Sequence, residues 1–179
     1  MHTPHSVSLK PAAAQSAMRG RAEVTRLRKR LDSAFARVPS ASTDIELQSD
    51  FSRYLCVLVS GFFENAIVAL VLDFSQRRSA GEVAAFVENR LDYWTNPNTE
   101  KICSLLGSFS RDWRKEAEAY LIDERKESVN SLVALRHKIA HGESVGTSLS
   151  QVKAYYQTII KVVDFIADIL ELPPQKISG

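Results

Sequence analysis

Apolar side chains recur every third or fourth position along nearly the whole chain, and nowhere do they alternate in the two-residue rhythm of a strand. The pattern predicts an all-α protein, an up-and-down bundle of four to six helices. A first helix is expected over residues 12–38, where Val24, Leu27, Leu31, Ala34 and Val38 keep 3-4 spacing. Pro39, Ser40, Ser42 and Thr43 then form a connection, and Asp44 and Glu46 put negative charge where the positive end of a new helix would lie. That second helix, residues 44–76, is the longest and has the broadest apolar face: Leu47, Phe51, Leu55, Leu58, Phe62, Ile67, Leu70 and Phe74. It should be the central one.

Shorter segments follow. Residues 79–93 read as a helix with Val83, Phe86, Val87 and Leu91 turned inward, and Thr95-Asn96-Pro97-Asn98 reads as a turn. Residues 99–106 form a short helix that Gly107-Ser108 should end, and residues 109–123 are either helical or partly irregular. The next helix, residues 124–141, packs through Val129, Leu132, Val133, Leu135 and Ile139, and Gly142 stands at the usual left-handed stop position. Thr147 or Ser148 caps a last helix through Glu171, with Leu149, Val152, Tyr156, Ile159, Val163, Ile166 and Leu170 as its apolar stripe. One domain over residues 12–172 is expected, between a disordered leader at 1–11 and a tail at 173–179 opened by Pro173-Pro174.

Composition narrows the class. At 179 residues and 45% hydrophobic, the chain can bury a core without disulfides, and Cys56 and Cys103 lie in apolar segments with no CxxC spacing. Packing thiols in a reducing, cytoplasmic compartment are the expectation. Ser60, Glu64 and Asn65 interrupt the longest apolar run, so no membrane span and no membrane partner are expected. Net charge is only +2, but residues 1–40 hold eight Lys or Arg against Glu23 and Asp32, which is +6 and leaves −4 for the remainder. A solvated helix face is the favoured reading of that basic segment, ahead of attraction to RNA and of a cleaved targeting peptide.

Chemistry concentrates in Arg136-His137-Lys138-Ile139-Ala140-His141-Gly142-Glu143. An arginine that stays charged and a histidine that titrates near neutrality suit a phosphodiester, since one holds the anionic oxygens while the other moves a proton. RNA carries its own nucleophile in the 2′-hydroxyl, so such a pair would be enough: His141 for the proton, Arg136 for the developing phosphorane charge, with His137 or Lys138 adding substrate contacts. Five positions along a helix are about 500° of rotation and about 7.5 Å of rise, which sets Arg136 and His141 roughly 140° apart. They converge only if the arginine stem curls, if the last turn distorts, or if a second copy of the helix faces the first; the last is favoured.

Spacing alone is weak evidence, because 14 arginines and four histidines give about 0.3 chance matches to Arg-x4-His in a chain of this length. Its setting at a helix end adds weight. Each residue also has a plainer reading: Arg136 as an ion-pair partner, His141 as a cation favourable to the helix dipole. His137 and His141 have the HxxxH spacing of a zinc pair, but no third or fourth ligand follows by spacing, so neither metal nor cofactor is expected. Glu64, inside an apolar run, either orients a motif side chain across the bundle or is structurally paired. Trp94, Trp113, Tyr155 and Tyr156 are packing residues before they are base-stacking platforms.

The stretch from Leu135 to Glu143 resembles the HEPN domains, whose signature is an arginine, four to six residues, then a histidine near the end of a bundle helix. It looks like the branch labelled RiboL-PSP-HEPN, to which a tyrosine-bearing final helix, here Val152 to Ile160, is also similar. The resemblance implies a metal-independent endoribonuclease acting on RNA, often a homodimer with both motifs at one cleft, in which Arg136 and His141 are catalytic and His137 is the polar residue after the arginine. It also implies a toxin or phage-defence role, with an antitoxin or regulatory protein as partner. Relatives paired with a nucleotidyltransferase antitoxin carry tyrosine where this chain has Glu143, which speaks against that partner. The alternative from another class is a non-catalytic HEPN-like module that binds RNA or a nucleotide, or docks a protein.

Overall fold

A computed structural model describes residues 12–38, 45–143 and 145–171, and every regular element among them is an α-helix. In order these are α1 (Ala12–Ala36), α2 (Ile45–Arg78), α3 (Gly81–Leu91), α4 (Thr99–Phe109), α5 (Arg111–Tyr120), α6 (Asp123–Ala140) and α7 (Leu149–Glu171). The leader at 1–11, the tail at 173–179 and Asp44 lie outside the described residues. Seven helices exceed the expected four to six because residues 111–120 are fully helical.

Helix α2 is the axis of the bundle and packs against α1, α3, α6 and α7. Leu55, Val59, Phe63, Ala66, Ile67 and Val71 are buried along it, meeting Leu31 and Ala34 of α1, Val129 and Leu132 of α6, and Val152, Ile159, Val163 and Ile166 of α7. A completely buried side chain such as Phe63 or Leu132 contributes about 1.5–3 kcal/mol through the water it sheds. Trp94, Trp113, Tyr155 and Tyr156 serve this core. Tyr156 stacks on Phe35 at 5.1 Å and meets Phe62 edge-on at 6.0 Å, Trp113 sits with Phe74 and Phe109, and Trp94 packs against the core. The Tyr155 hydroxyl accepts a hydrogen bond from Gln151.

The long-range contacts orient the helices. Gly20 lies against Asp73, and Arg21 reaches Asp168 and Glu171, so the start of α1 and the ends of α2 and α7 share one pole. Asp32 accepts a 2.6 Å hydrogen bond from Tyr156 at the other pole, where α1 ends and α7 begins. Tyr120 stacks on Phe165 at 3.9 Å and is covered by Arg125, which sets the start of α6 beside the later turns of α7. Helix α6 therefore runs antiparallel to α7, and its C-terminus reaches the pole where α7 begins.

Three sequence expectations change. Helix α4 runs past Gly107 to Phe109, and Ser110 makes the break instead, its hydroxyl accepting from the N–H groups of Asp112 and Trp113. Gly107 is a packing glycine: a Cβ there would lie 3.1–3.4 Å from the Arg114 side chain, so its absence lets α5 fold back on α4. On α3, Leu91 is buried but Val83 and Phe86 are 52% and 62% exposed, since α2 covers only one edge of this short helix. And α2 does contain an 18-residue window, of mean hydropathy 2.2, long and apolar enough to cross a membrane. Ser60, Glu64 and Asn65 do not offset the valines, leucines and phenylalanines around them, and just over half of that window is buried inside the bundle.

A buried ion pair within α2 lies beneath the start of α1. Arg77 donates from Nε to Asp73 at 2.9 Å with both side chains over 90% buried. A Cβ on Gly20 would come within 2.9 Å of the Asp73 Cβ, so only a glycine lets α1 approach the pair this closely.

Candidate functional site

The motif occupies the last turn of α6, and the sequence dictates how that turn closes. His141 has φ −90° and ψ 8°, still near helical, and Gly142 then turns to φ +73°, a conformation that costs an L residue but not glycine. The Gly142 N–H donates to Ile139 O at 3.1 Å and the Glu143 N–H to Lys138 O at 3.0 Å. These two crossed bonds form a Schellman cap, which satisfies carbonyls the helix would otherwise leave open. Lys138 in the same turn places positive charge at the negative end of the helix dipole.

Because α6 stays regular to Ala140, the last turn does not bring Arg136 and His141 onto one face. What the helix does juxtapose is His137 and His141. One turn apart, their rings meet edge to face with centroids 4.3 Å apart, and both are exposed beside exposed Lys138. The four-residue spacing carried this signal, although in the sequence it pointed only to a zinc pair. No group of three or more His, Cys, Asp or Glu side chains fit to hold a metal ion occurs among the described residues. Arg136 lies half-buried on another face and makes no hydrogen bond or ion pair among the described residues.

Glu64 has a different partner from the one that would orient the motif. Its carboxylate accepts the Asn96 N–H at 2.8 Å, holding the turn between α3 and α4 where Asn96 adopts φ +53°. The structurally paired reading of this residue describes what the structure contains. Two clefts of about 620 Å³ flank α4, one lined by residues such as Asn98, Glu118 and Lys126, the other by Phe86, Trp94 and Phe109. Neither is lined by Arg136, His137, Lys138 or His141; three of these side chains, His137, Lys138 and His141, are exposed at the helix end.

The sequence profile of the RiboL-PSP-HEPN family matches residues 23–172, nearly all of the described bundle and the whole motif. The chain belongs to the RiboL-PSP-HEPN family. No curated protein and no solved structure matches it. HEPN domains are often ribonucleases or RNA-binding modules, and the matched region of this HEPN domain contains Arg136 and His141 in Arg-x4-His spacing. Residues 12–22, the first turns of α1, precede the matched region.

Proposed function

We propose that this HEPN domain is a metal-independent endoribonuclease that works as a homodimer, with Arg136 and His141 as its catalytic pair. The observation that carries the reading is an intact Arg-x4-His motif at a helix end with both histidines exposed and the arginine free of any partner among the described residues. A single α6 holds the two side chains on different faces, so a second protomer packed end to end against the first is what would converge them on one strand. Two motif-bearing helices would turn an exposed helix end into a cationic cleft.

In that cleft His141 takes the 2′-hydroxyl proton as the 2′-oxygen bonds to phosphorus. Arg136 neutralises the charge growing on the non-bridging oxygens. The bond from phosphorus to the 5′-oxygen then breaks, and the leaving oxygen takes a proton from an imidazolium, His137 or the partner's His141. The products are a 2′,3′-cyclic phosphate and a free 5′-hydroxyl. Lys138 contacts a flanking phosphate. In a cell this activity suits a cytoplasmic toxin or phage-defence effector restrained by an antitoxin or regulatory protein, and the free buried thiols of Cys56 and Cys103 fit a reducing compartment.

Incubation of the purified protein with total RNA in EDTA, beside His141→Ala and Arg136→Ala, tests this. Wild type should yield fragments ending in cyclic phosphate, each variant should be slowed at least 100-fold, and DNA should survive. Equal cleavage by all three proteins would sink the proposal. A second reading has an observation of its own in the roughly 140° separation of Arg136 and His141 on a regular helix: a HEPN module that binds RNA or docks a protein without turnover. Binding of RNA by a monomer that never cuts it would select that alternative.

A further inference from the structure

Helix α1 sorts its cations between two flanks. Its core face is Val24, Leu27, Leu31 and Ala34. On the flank toward α7, Arg21 is held by Asp168 and Glu171, and Arg28 lies near the Tyr156–Asp32 pair. On the other flank, Arg19, Arg26 and Arg30 are spaced by seven and four residues, which returns each to within about 40° of the others around the helix axis. Arg37 follows seven residues later in the closing turn, where its N–H donates to Ala34 O. The row is about 27 Å long.

All four arginines are exposed, as is Lys29 beside them. Glu23, paired with Arg26, is the one acid of α1 on this flank; Arg19, Lys29, Arg30 and Arg37 make no ion pair among the described residues. Along α1 itself the row carries no large apolar anchor, because the outward positions around it are Ala22, Thr25, Ser33 and Ala36. A protein interface needs a desolvated apolar or aromatic centre, and charge is depleted there. A straight row of guanidiniums, broken by one acid and with no such centre on the helix that bears it, matches a regular line of phosphates instead. Its Arg37 end lies at the pole where α6 presents the motif.

We propose that this arginine row is a sequence-independent binding track for the phosphate backbone of single-stranded RNA. The choice of RNA over other polyphosphates rests on the ribonuclease reading above; the track itself does not. It binds by counterion release, so its affinity depends on salt and not on base sequence.

The test measures binding, not cleavage. A fluorescent 20-nucleotide RNA of mixed sequence is titrated with the full chain carrying His141→Ala, by anisotropy between 50 and 200 mM salt, and again after adding Arg30→Ala and Arg37→Ala. Each phosphate contact on a single strand contributes about 0.7 to the slope of log affinity against log salt. The double substitution should lower the slope by about 1.4 and weaken binding about 25-fold at 0.1 M salt. Arg30→Lys with Arg37→Lys should keep most of the slope, and Lys153→Ala with Lys161→Ala, exposed on α7, should leave it unchanged. An unaltered slope after Arg30→Ala and Arg37→Ala, or no RNA binding at low salt, overturns the proposal. If wild type never cuts RNA and the slope still falls, the track stands and the nuclease reading fails. If wild type cuts and the slope does not move, the reverse holds.

Discussion

Gly142→Ala separates the backbone's part in the motif from that of the side chains. The residue sits at φ +73°, and a Cβ built there meets no heavy atom within 4 Å, so steric overlap with the rest of the fold adds nothing to the cost. What remains is the intrinsic penalty of the left-handed conformation for an L residue, about 1–2 kcal/mol, offset by a few tenths because alanine has less freedom than glycine in the unfolded chain. A net loss of about 1 kcal/mol is expected. With about 2.1 cal/mol/K of unfolding entropy per residue and 179 residues, that lowers Tm by about 2–3 °C. Urea unfolding followed by circular dichroism should show the loss as a lower midpoint with an unchanged slope. Gly142→Asn should lose less, since asparagine tolerates this conformation better. If the chain avoids the strain by opening the turn, the bonds from Gly142 and Glu143 to Ile139 and Lys138 go with it, and His141 is released from its position over His137. On the ribonuclease function proposed above, RNA cleavage at 25 °C, where both proteins are folded, would then fall although neither Arg136 nor His141 had changed. An alanine variant as stable as wild type, with asparagine no better than alanine, would refute the assignment of Gly142 as a left-handed helix stop.

Arg77→Ala should destabilise by roughly 3–5 kcal/mol, because it strands the buried Asp73 carboxylate beneath α1; adding Asp73→Ala should cost less than the two single losses summed, and strict additivity in denaturant melts would contradict a coupled pair. Burial pushes the Cys56 thiol up to about 11, so the folded chain keeps a proton that the unfolded chain gives up above about pH 9. The part of the stability that this thiol contributes is complete below that pH and is lost at about 1.4 kcal/mol per unit as pH rises toward 11; Cys56→Ala should make the profile shallower by that amount, and an unchanged slope would exclude the thiol as a source.

The sequence by itself determined the helical class, six of the seven helix positions to within about three residues, and the motif. Each rests on local chemistry: a 3-4 apolar rhythm with nine buried apolar residues on α2, a glycine placed to stop α6, and a serine, Ser148, placed to accept from the Gln151 N–H at the start of α7. The family match over residues 23–172 agrees with what those few motif positions indicated. Tertiary structure decided what local pattern leaves open. Gly107 looks like a terminator until Arg114 is seen lying against it, and Phe86 looks like a core residue until no helix covers it. Glu64 looks like a motif partner until the Asn96 N–H, 32 residues along the chain, is found to hold it. The arginines of α1 are alike in sequence, and only the placement of α7 neutralises Arg21 while leaving Arg30 in water. The physical reason is common to all four: periodicity reports which face of a helix is apolar, whereas the partner of that face is fixed by packing between segments distant in the chain.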